Sequence, residues 1–471
     1  VPAEADLVAY WVEKAWRRVS FSLPLVGRDG REAARVGHGG GGSPPAPSGH
    51  PPHEGEGEEK RTLRAGLVTT NSIRGGASRR VLDPIADAGL LMEAWPDEPW
   101  TLEGAAVRVS MLGFGEGFVE RRRNGAPAVR INADLTGGAA DLTKAARLKE
   151  NAGVAFMGDT KGGAFDVPGE LAREWLKLPL NPNGRPNSDV LKPWRNGMDV
   201  TRRPADKWII DFGWTMTEAE AALYEAPFRH ALLHVKPERD RNAREAYRLN
   251  WWRHVEPRQG MWRAIGERSR YLATPRVAKH RLFSWLPQPT LPDSRIFVFA
   301  RSDDLLFGLL CSAWHEAWSL ATASWHGVGN DPTYNIESCF ETFPFPEGLT
   351  PDRPAAAYAD DPRARAIAAA AAELNRLREA WLNPPDLVRV EPEVVPGYPD
   401  RVLPKDAEAA VELKKRTLTN LYNQRPTWLE NAHRALDAAV ADAYGWPADL
   451  SDDEVLARLF ALNQERAAAG R

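Results

Sequence analysis

Residues 27–60 read GRDGREAARVGHGGGGSPPAPSGHPPHEGEGEEK, with almost no large apolar side chain. Such a stretch cannot bury enough apolar surface to offset the entropy of ordering it, so it predicts a disordered low-complexity insertion. Any folded body must therefore be built from what lies on either side, a short segment 1–26 and the chain from 61 onward. His50 and His53 make a metal pair only on paper, because nothing in the stretch fixes a coordination geometry.

The rest of the chain has the material for a core. Of 471 residues, 43% are hydrophobic and 27% charged, a globular composition, and at roughly 150 residues per domain the length predicts about three domains. Cys311 and Cys339 are too few for a disulfide framework, so the chain reads as cytoplasmic. No apolar run approaches about 18 residues, and VPAEADLVAYW lacks the regions of a signal peptide. Val1 in place of Met fits methionine removal or a start inside a longer protein.

The hydrophobic pattern divides the chain further. Residues 5–19 predict an amphipathic helix with Leu7, Val8, Trp11, Val12, Ala15, Trp16 and Val19 on one stripe. AGLVTTNS (65–72) predicts a buried parallel strand, followed by a turn at Arg74 and a helix over 78–88. Strands are expected at 90–95, 105–113 and 128–132, so 61–150 reads as part of an α/β sheet. Residues 151–347 alternate short apolar segments with turn residues and predict a mixed, strand-rich domain, with 303–324 as its main helix. Residues 348–471 predict a helical domain, with helices over 363–382, 406–424, 427–444 and 452–469. Asp406, Thr427 and Ser451 or Asp452 are the expected caps. The fold class is thus α/β and α+β multidomain.

Charge is unevenly spread. The chain's net charge is -3, yet residues 239–281 hold twelve Arg and Lys against four Asp and Glu. Tyr247, Trp251, Trp252, Trp262 and Tyr271 interleave with those cations. An arginine-rich patch in an otherwise acidic chain is the electrostatic footprint of a phosphate-binding surface. The competing reading is a solvated helix face, with Glu245 paired to Arg241 or Arg248.

Several motifs fail on context. Gly113-Phe114-Gly115-Glu116-Gly117 does not complete a dinucleotide fingerprint, and Lys161-Gly162-Gly163 lacks the P-loop spacing. His230 and His234 are four apart, but no Glu follows the first, so a zinc-protease site is excluded. Glu412-Leu413-Lys414, an acid-x-Lys triplet, lies on an expected amphipathic helix. Asn383-Pro384-Pro385 is followed by Asp386 where a base-stacking aromatic is needed, and it follows a helix where a strand is needed. It reads as a helix stop.

Taken together, ADLVAYWVEKAWRR, AGLVTTNSIRGGASRRVLDPI, WTLEGAAVRVSMLGF, INADLT, GVAFMGDTKGGAFDVPGE, NSDVLKPWRNGMDVTRRPADKWIIDFG, YLATPRVAKHRLF, GVGNDPTY and FETFPFPEGLT resemble one family. It is the class I S-adenosylmethionine-dependent DNA methyltransferases of the Type IIL restriction–modification group. The resemblance implies a Rossmann-like methyltransferase core (1–26 and 61–150), a DNA target-recognition domain (151–347) and a helical C-terminal domain (348–471). It also implies methyl transfer from S-adenosylmethionine to the exocyclic amine of an adenine flipped out of double-stranded DNA.

The family's cofactor-binding glycine turn and Asn-Pro-Pro-aromatic motif would precede Ala5, and this chain has neither. By resemblance it is the C-terminal portion, with no catalytic residue of its own and no metal, and alone it should not methylate. Thr70, Asn71 and Ser72 would then wall the active site. Lys161, Arg202, Arg203, Arg276, Lys279, Arg281, Asn330 and Tyr334 would face DNA. If 276–281 is a strand, Arg276 and His280 share one face, and Lys279 and Arg281 the other. Two alternatives stay open: a specificity subunit served by a separate catalytic chain, and a degenerate gene remnant.

Overall fold

The computed structural model describes residues 7–20, 63–74, 76–102, 105–137, 140–326 and 331–471, and the 27–60 insertion lies outside them. The chain divides into two compact units, Val1–Asp141 and Leu142–Arg471.

In the first unit the amphipathic helix runs over Leu7–Ser20. It buries Ala9, Val12 and Val19, with Trp16 edge-on to Phe114 at 6.4 Å. Trp11, placed on the stripe by the pattern, is 56% exposed instead. The sheet has five strands in the order Arg64–Thr70, Ala105–Gly115, Leu91–Leu102, Arg122–Arg123, Ala126–Pro127.

The expected parallel strand is antiparallel: Arg64–Thr70 pairs with Ala105–Gly115, placing Leu67 opposite Leu112 and Thr70 opposite Val109. Its burial alternates, with Val68 half exposed, so it is covered on one face only, the condition under which antiparallel pairing prevails. Leu91–Leu102 is longer than expected because a bulge between Trp95 and Glu98 absorbs Pro96, whose carbonyl accepts from Ser110 Oγ at 2.8 Å. The 128–132 segment is no strand. It leads into a turn closed by Asn132 and Thr136, with Leu135 left-handed at φ 65°. The 78–88 helix is two short ones, Gly76–Arg79 and Asp83–Asp87, the second started by Pro84.

The second unit holds two four-stranded sheets. One runs Ser284–Pro287, Arg270–Pro275, Ile296–Phe299, Ala155–Met157, all antiparallel. The other runs Leu291–Pro292, Leu191–Arg195, Lys207–Ile210, Asp166–Pro168. Short helices from Glu218 to Ile265 are inserted between Lys207–Ile210 and Arg270–Pro275. The 303–324 helix is broken into Asp304–Cys311 and Ala313–Ala321, because Ser312 turns extended and caps the second helix through His315 N–H. Residues 406–424 break likewise into Ala407–Leu413 and Leu418–Gln424, capped by Asp406 and Thr417. Thr427 is the first residue of its helix and not its cap, while Ser451 forms a capping box with Glu454. Asp304–Cys311 lies on Pro362–Leu382 at Gly308, where a Cβ would stand 2.7 Å from Ile367 Cγ2. The 151–347 and 348–471 segments therefore share one compact unit.

Candidate nucleic-acid interface

The GDTKGG segment is a structural joint. It leaves the Ala155–Met157 strand at Gly158, where a Cβ would meet the Asp293 carbonyl at 2.2 Å, so only glycine passes. Asp159 turns inward and its Oδ1 stands 2.8 Å from His254 Nδ1, both side chains 1% exposed. The other nitrogen of His254, Nε2, lies 2.8 Å from the Ile210 carbonyl. An imidazole between a carboxylate and a carbonyl donates from both nitrogens only when protonated. Burial opposes that charge, but Asp159, then Asp211 and the Ile210 carbonyl, overcome it and raise the His254 pKa to about 9, while burial raises the Asp159 carboxyl as well. Nothing in the sequence pattern signals this pair, since its partners are remote in the chain.

Lys161 follows. Its ammonium is engaged by Asp166, which also binds Lys207 at 3.0 Å, and both lysines lie over the Trp194 ring. Half-burial acts against ionisation of Asp166, but the two lysines hold its carboxyl below the ordinary range. Lys161 is thus a neutralised, partly covered cation, not one held out to a ligand.

Helix Leu418–Gln424 gathers several of the other expected residues. Thr419 Oγ1 donates to the Thr201 carbonyl at 3.3 Å, beside Arg202 and Arg203, and Lys279 Nζ donates to Asn423 Oδ1 at 2.6 Å. Arg202 is exposed. Arg203 is half-buried and tied to the Leu382 carbonyl and Asn383 Oδ1 at 2.8 and 2.7 Å. Arg276 is half-buried, and neither it nor Arg202 makes an ion pair among the described residues.

Two expectations fail here. The strand ends at Pro275, so 276–281 is a loop and its alternation carries no facing rule. Arg281 is 6% exposed, its guanidinium over the Tyr334 ring at 5.0 Å, and Tyr334 is fully buried with its hydroxyl 3.0 Å from His315 Nε2. Neither side chain faces solvent, because both fill the aromatic core around Phe283 and Phe299. Asn330 lies outside the described residues.

The basic 239–281 window separates into two populations. Arg239, Arg253, Arg258 and Arg270 are structural. They donate to the carbonyls of Lys161, Met216, Gly158 and Ser302 at 2.9, 3.0, 3.0 and 3.2 Å. Arg241, Arg244, Arg248, Arg263 and Arg268 are exposed and make no ion pair among the described residues. The Glu245 pairs to Arg241 or Arg248 do not form. Arg248 instead donates to the Asn242 carbonyl at 2.7 Å, Arg268 to the Ala264 and Ile265 carbonyls at 2.7 Å each, and Arg244 lies over Tyr247. Exposed guanidinium forks without acidic partners are available to phosphate oxygens.

In the first unit, Thr70 Oγ1 and Ser72 Oγ are 2.6 Å apart and exposed, where the strand passes into the 3₁₀ turn Asn71–Arg74. Arg74 fixes that turn by donating to the Pro96 and Asp134 carbonyls at 3.2 and 3.3 Å. The Asn71 side chain is outside the described residues.

No cluster of three or more His, Cys, Asp or Glu able to hold a metal occurs among the described residues. Burial pushes the Cys311 thiol up to about 12, away from thiolate chemistry. Asn383 ends the Pro362–Leu382 helix, and its Nδ2 donates to Glu379 at 3.1 Å, as a helix stop does. Two surface cavities of about 340 and 420 Å³ lie around Tyr444, Trp446 and Arg466 and around Lys149, Arg353 and Arg471; neither is lined by a residue expected from sequence. Among the described residues no helix is long and apolar enough to cross a membrane.

No protein-family profile matches the chain, and no curated protein matches it. A solved structure does: the Type IIL restriction-modification enzyme MmeI in complex with DNA, with a TM-score of 0.61 and 18% identity, over 86% of this chain and 50% of that one. This chain spans about half the length of that neighbour. At this identity the likeness is one of fold: a mixed α/β architecture of several sheets and many helices.

Proposed function

We propose that this chain is the DNA-recognition portion of a site-specific adenine DNA methyltransferase acting in the cytoplasm. The observation that carries the reading is the set of exposed arginines, Arg241, Arg244, Arg248, Arg263 and Arg268, left without acidic partners on a chain of net charge -3. Cations without carboxylate partners keep their full positive charge for phosphate oxygens. The fold likeness to an enzyme solved with DNA supports the same partner. Arg202 and Lys279, near Leu418–Gln424, and Arg276 would add contacts that fix register on the duplex.

In this reading the first unit is the tail of a Rossmann-like methyltransferase sheet, with Thr70, Asn71 and Ser72 at the end of a core strand. S-adenosylmethionine would supply the methyl group, and this sequence carries neither the glycine turn nor the Asn-Pro-Pro-aromatic motif that would grip it and the flipped adenine. The purified chain should therefore bind double-stranded DNA, with affinity falling steeply between about 50 and 200 mM salt, but transfer no labelled methyl group. Salt-independent binding, or none, would remove the DNA reading. Methyl transfer by the chain alone would overturn the assignment of catalysis elsewhere.

A second reading is a specificity subunit completed by a separate catalytic chain. It is favoured by the Arg64–Thr70 strand, which among the described residues is paired along one edge only. Co-purification with a chain carrying the glycine turn and Asn-Pro-Pro-aromatic motif, with methylation restored, separates it from the first. Broad, uncooperative melting would instead favour a gene remnant.

A further inference from the structure

His230 and His234 sit one turn apart on the Glu225–His234 helix, a spacing that stacks their side chains on one face. Their rings face each other with centroids 4.4 Å apart at an interplanar angle of 41°. His230 is half-buried and edge-on to Trp175 at 5.6 Å, and the Ala164 backbone acts on it in the sense that favours a ring N–H. His234 is exposed at the helix end. Neither ring makes an ion pair among the described residues. Asp166, an acid that acts on His230 electrostatically, is occupied by Lys161 and Lys207.

This is the arrangement of a two-histidine clamp. A ligating histidine commonly donates its second ring N–H to a carbonyl, which fixes the tautomer and turns the free nitrogen toward the metal. Burial, with the adjacent His234, holds His230 below its ordinary value, so it is a neutral donor at pH 7. We propose that His230 and His234 together bind one divalent transition-metal ion, Zn²⁺, Ni²⁺ or Cu²⁺, at the surface of the second unit. With two imidazoles and, among the described residues, no group of three or more His, Cys, Asp or Glu able to hold a metal, water fills the remaining positions. Two borderline nitrogen donors select such ions over Mg²⁺ and Ca²⁺, which take oxygen ligands. The missing Glu after His230 leaves no general base, so the site binds without hydrolysing. The inference does not depend on the chain's binding DNA.

The test is calorimetric titration of the full chain with Zn²⁺ and separately with Ni²⁺, beside His234→Ala and His230→Gln. His234 is exposed, so its removal leaves the fold intact, whereas His230→Gln also loses the contact with Trp175 and is checked by circular dichroism. The expected result is one ion per chain, Mg²⁺ without effect, and affinity reduced at least about tenfold in His234→Ala, the smallest loss seen even when only an outer-shell partner is removed. Equal binding by the parent and His234→Ala would assign the metal to other histidines, such as His50 and His53, and overturn the proposal. Absence of binding by the parent would do the same.

Discussion

At the scale of single residues, the clearest consequence follows from His254. Its folded value of about 9 exceeds the ordinary 6.5, so folding takes up a proton between those pH values. The stabilisation is fully present below about pH 6.5 and is lost as pH rises through about 9. The urea midpoint of the parent should therefore fall between pH 7 and 9.5, while His254→Gln should show a flatter profile over that range. His254→Gln also strands the buried Asp159, so it should cost about 3–5 kcal/mol at pH 7. A parent profile as flat as the variant's would show that the imidazole is neutral in the fold. Residue-level function was the least legible part of the sequence. Arginine content marked the right window, but identity alone does not say which guanidiniums turn inward. Arg239 and Arg281 are covered, whereas Arg241 and Arg244 are not. Lys161 reads as a free cation until Asp166 and Lys207 are placed beside it in space.

At the scale of elements, helix periodicity carried most of the helices beyond Asp303, because apolar residues at helical spacing report one buried face directly. What it missed were short breaks that end at a polar capping residue. Ser312 and Thr417 each turn extended and cap a new helix, so one periodic run becomes two helices. The Arg64–Thr70 strand failed for another reason: a short apolar run does not distinguish a strand covered on both faces from one covered on one. Close helix approach gives a firm expectation. At Gly308 a Cβ would stand 2.7 Å from Ile367 Cγ2 and 2.9 Å from Ala371 Cβ. Gly308→Ala gains about 1 kcal/mol of helix propensity but overpacks a tight contact at about 1–3 kcal/mol or more. Net destabilisation is expected, read as a lower urea midpoint with an unchanged slope; a stabilised variant would mean that the two helices separate easily. Ser451→Ala should cost about 1 kcal/mol in the same assay, through loss of the capping box with Glu454.

At the scale of the whole molecule, composition shifts along the chain suggest a partial sheet, a mixed domain and a helical tail, whereas the structure divides into two units. Packing of the last two into one unit was not readable, since contacts between Asp304–Cys311 and Pro362–Leu382 are remote in sequence. The division of the arginines bears on both folding and binding, and the two can be separated. Arg241, Arg244, Arg248 and Arg263 are exposed, so replacing all four by Gln should change stability by no more than about 0.5 kcal/mol per site. If they meet phosphates, each contact removed should lower the salt slope of DNA binding by about 1, weakening all sequences alike. Arg239→Gln makes the contrast. It removes a buried guanidinium held by the Lys161 and Arg253 carbonyls, so it should lower stability well before it alters the slope. Unchanged salt dependence in the fourfold variant would place DNA on another face, with Arg202, Arg276 and Lys279 as the next side chains to replace.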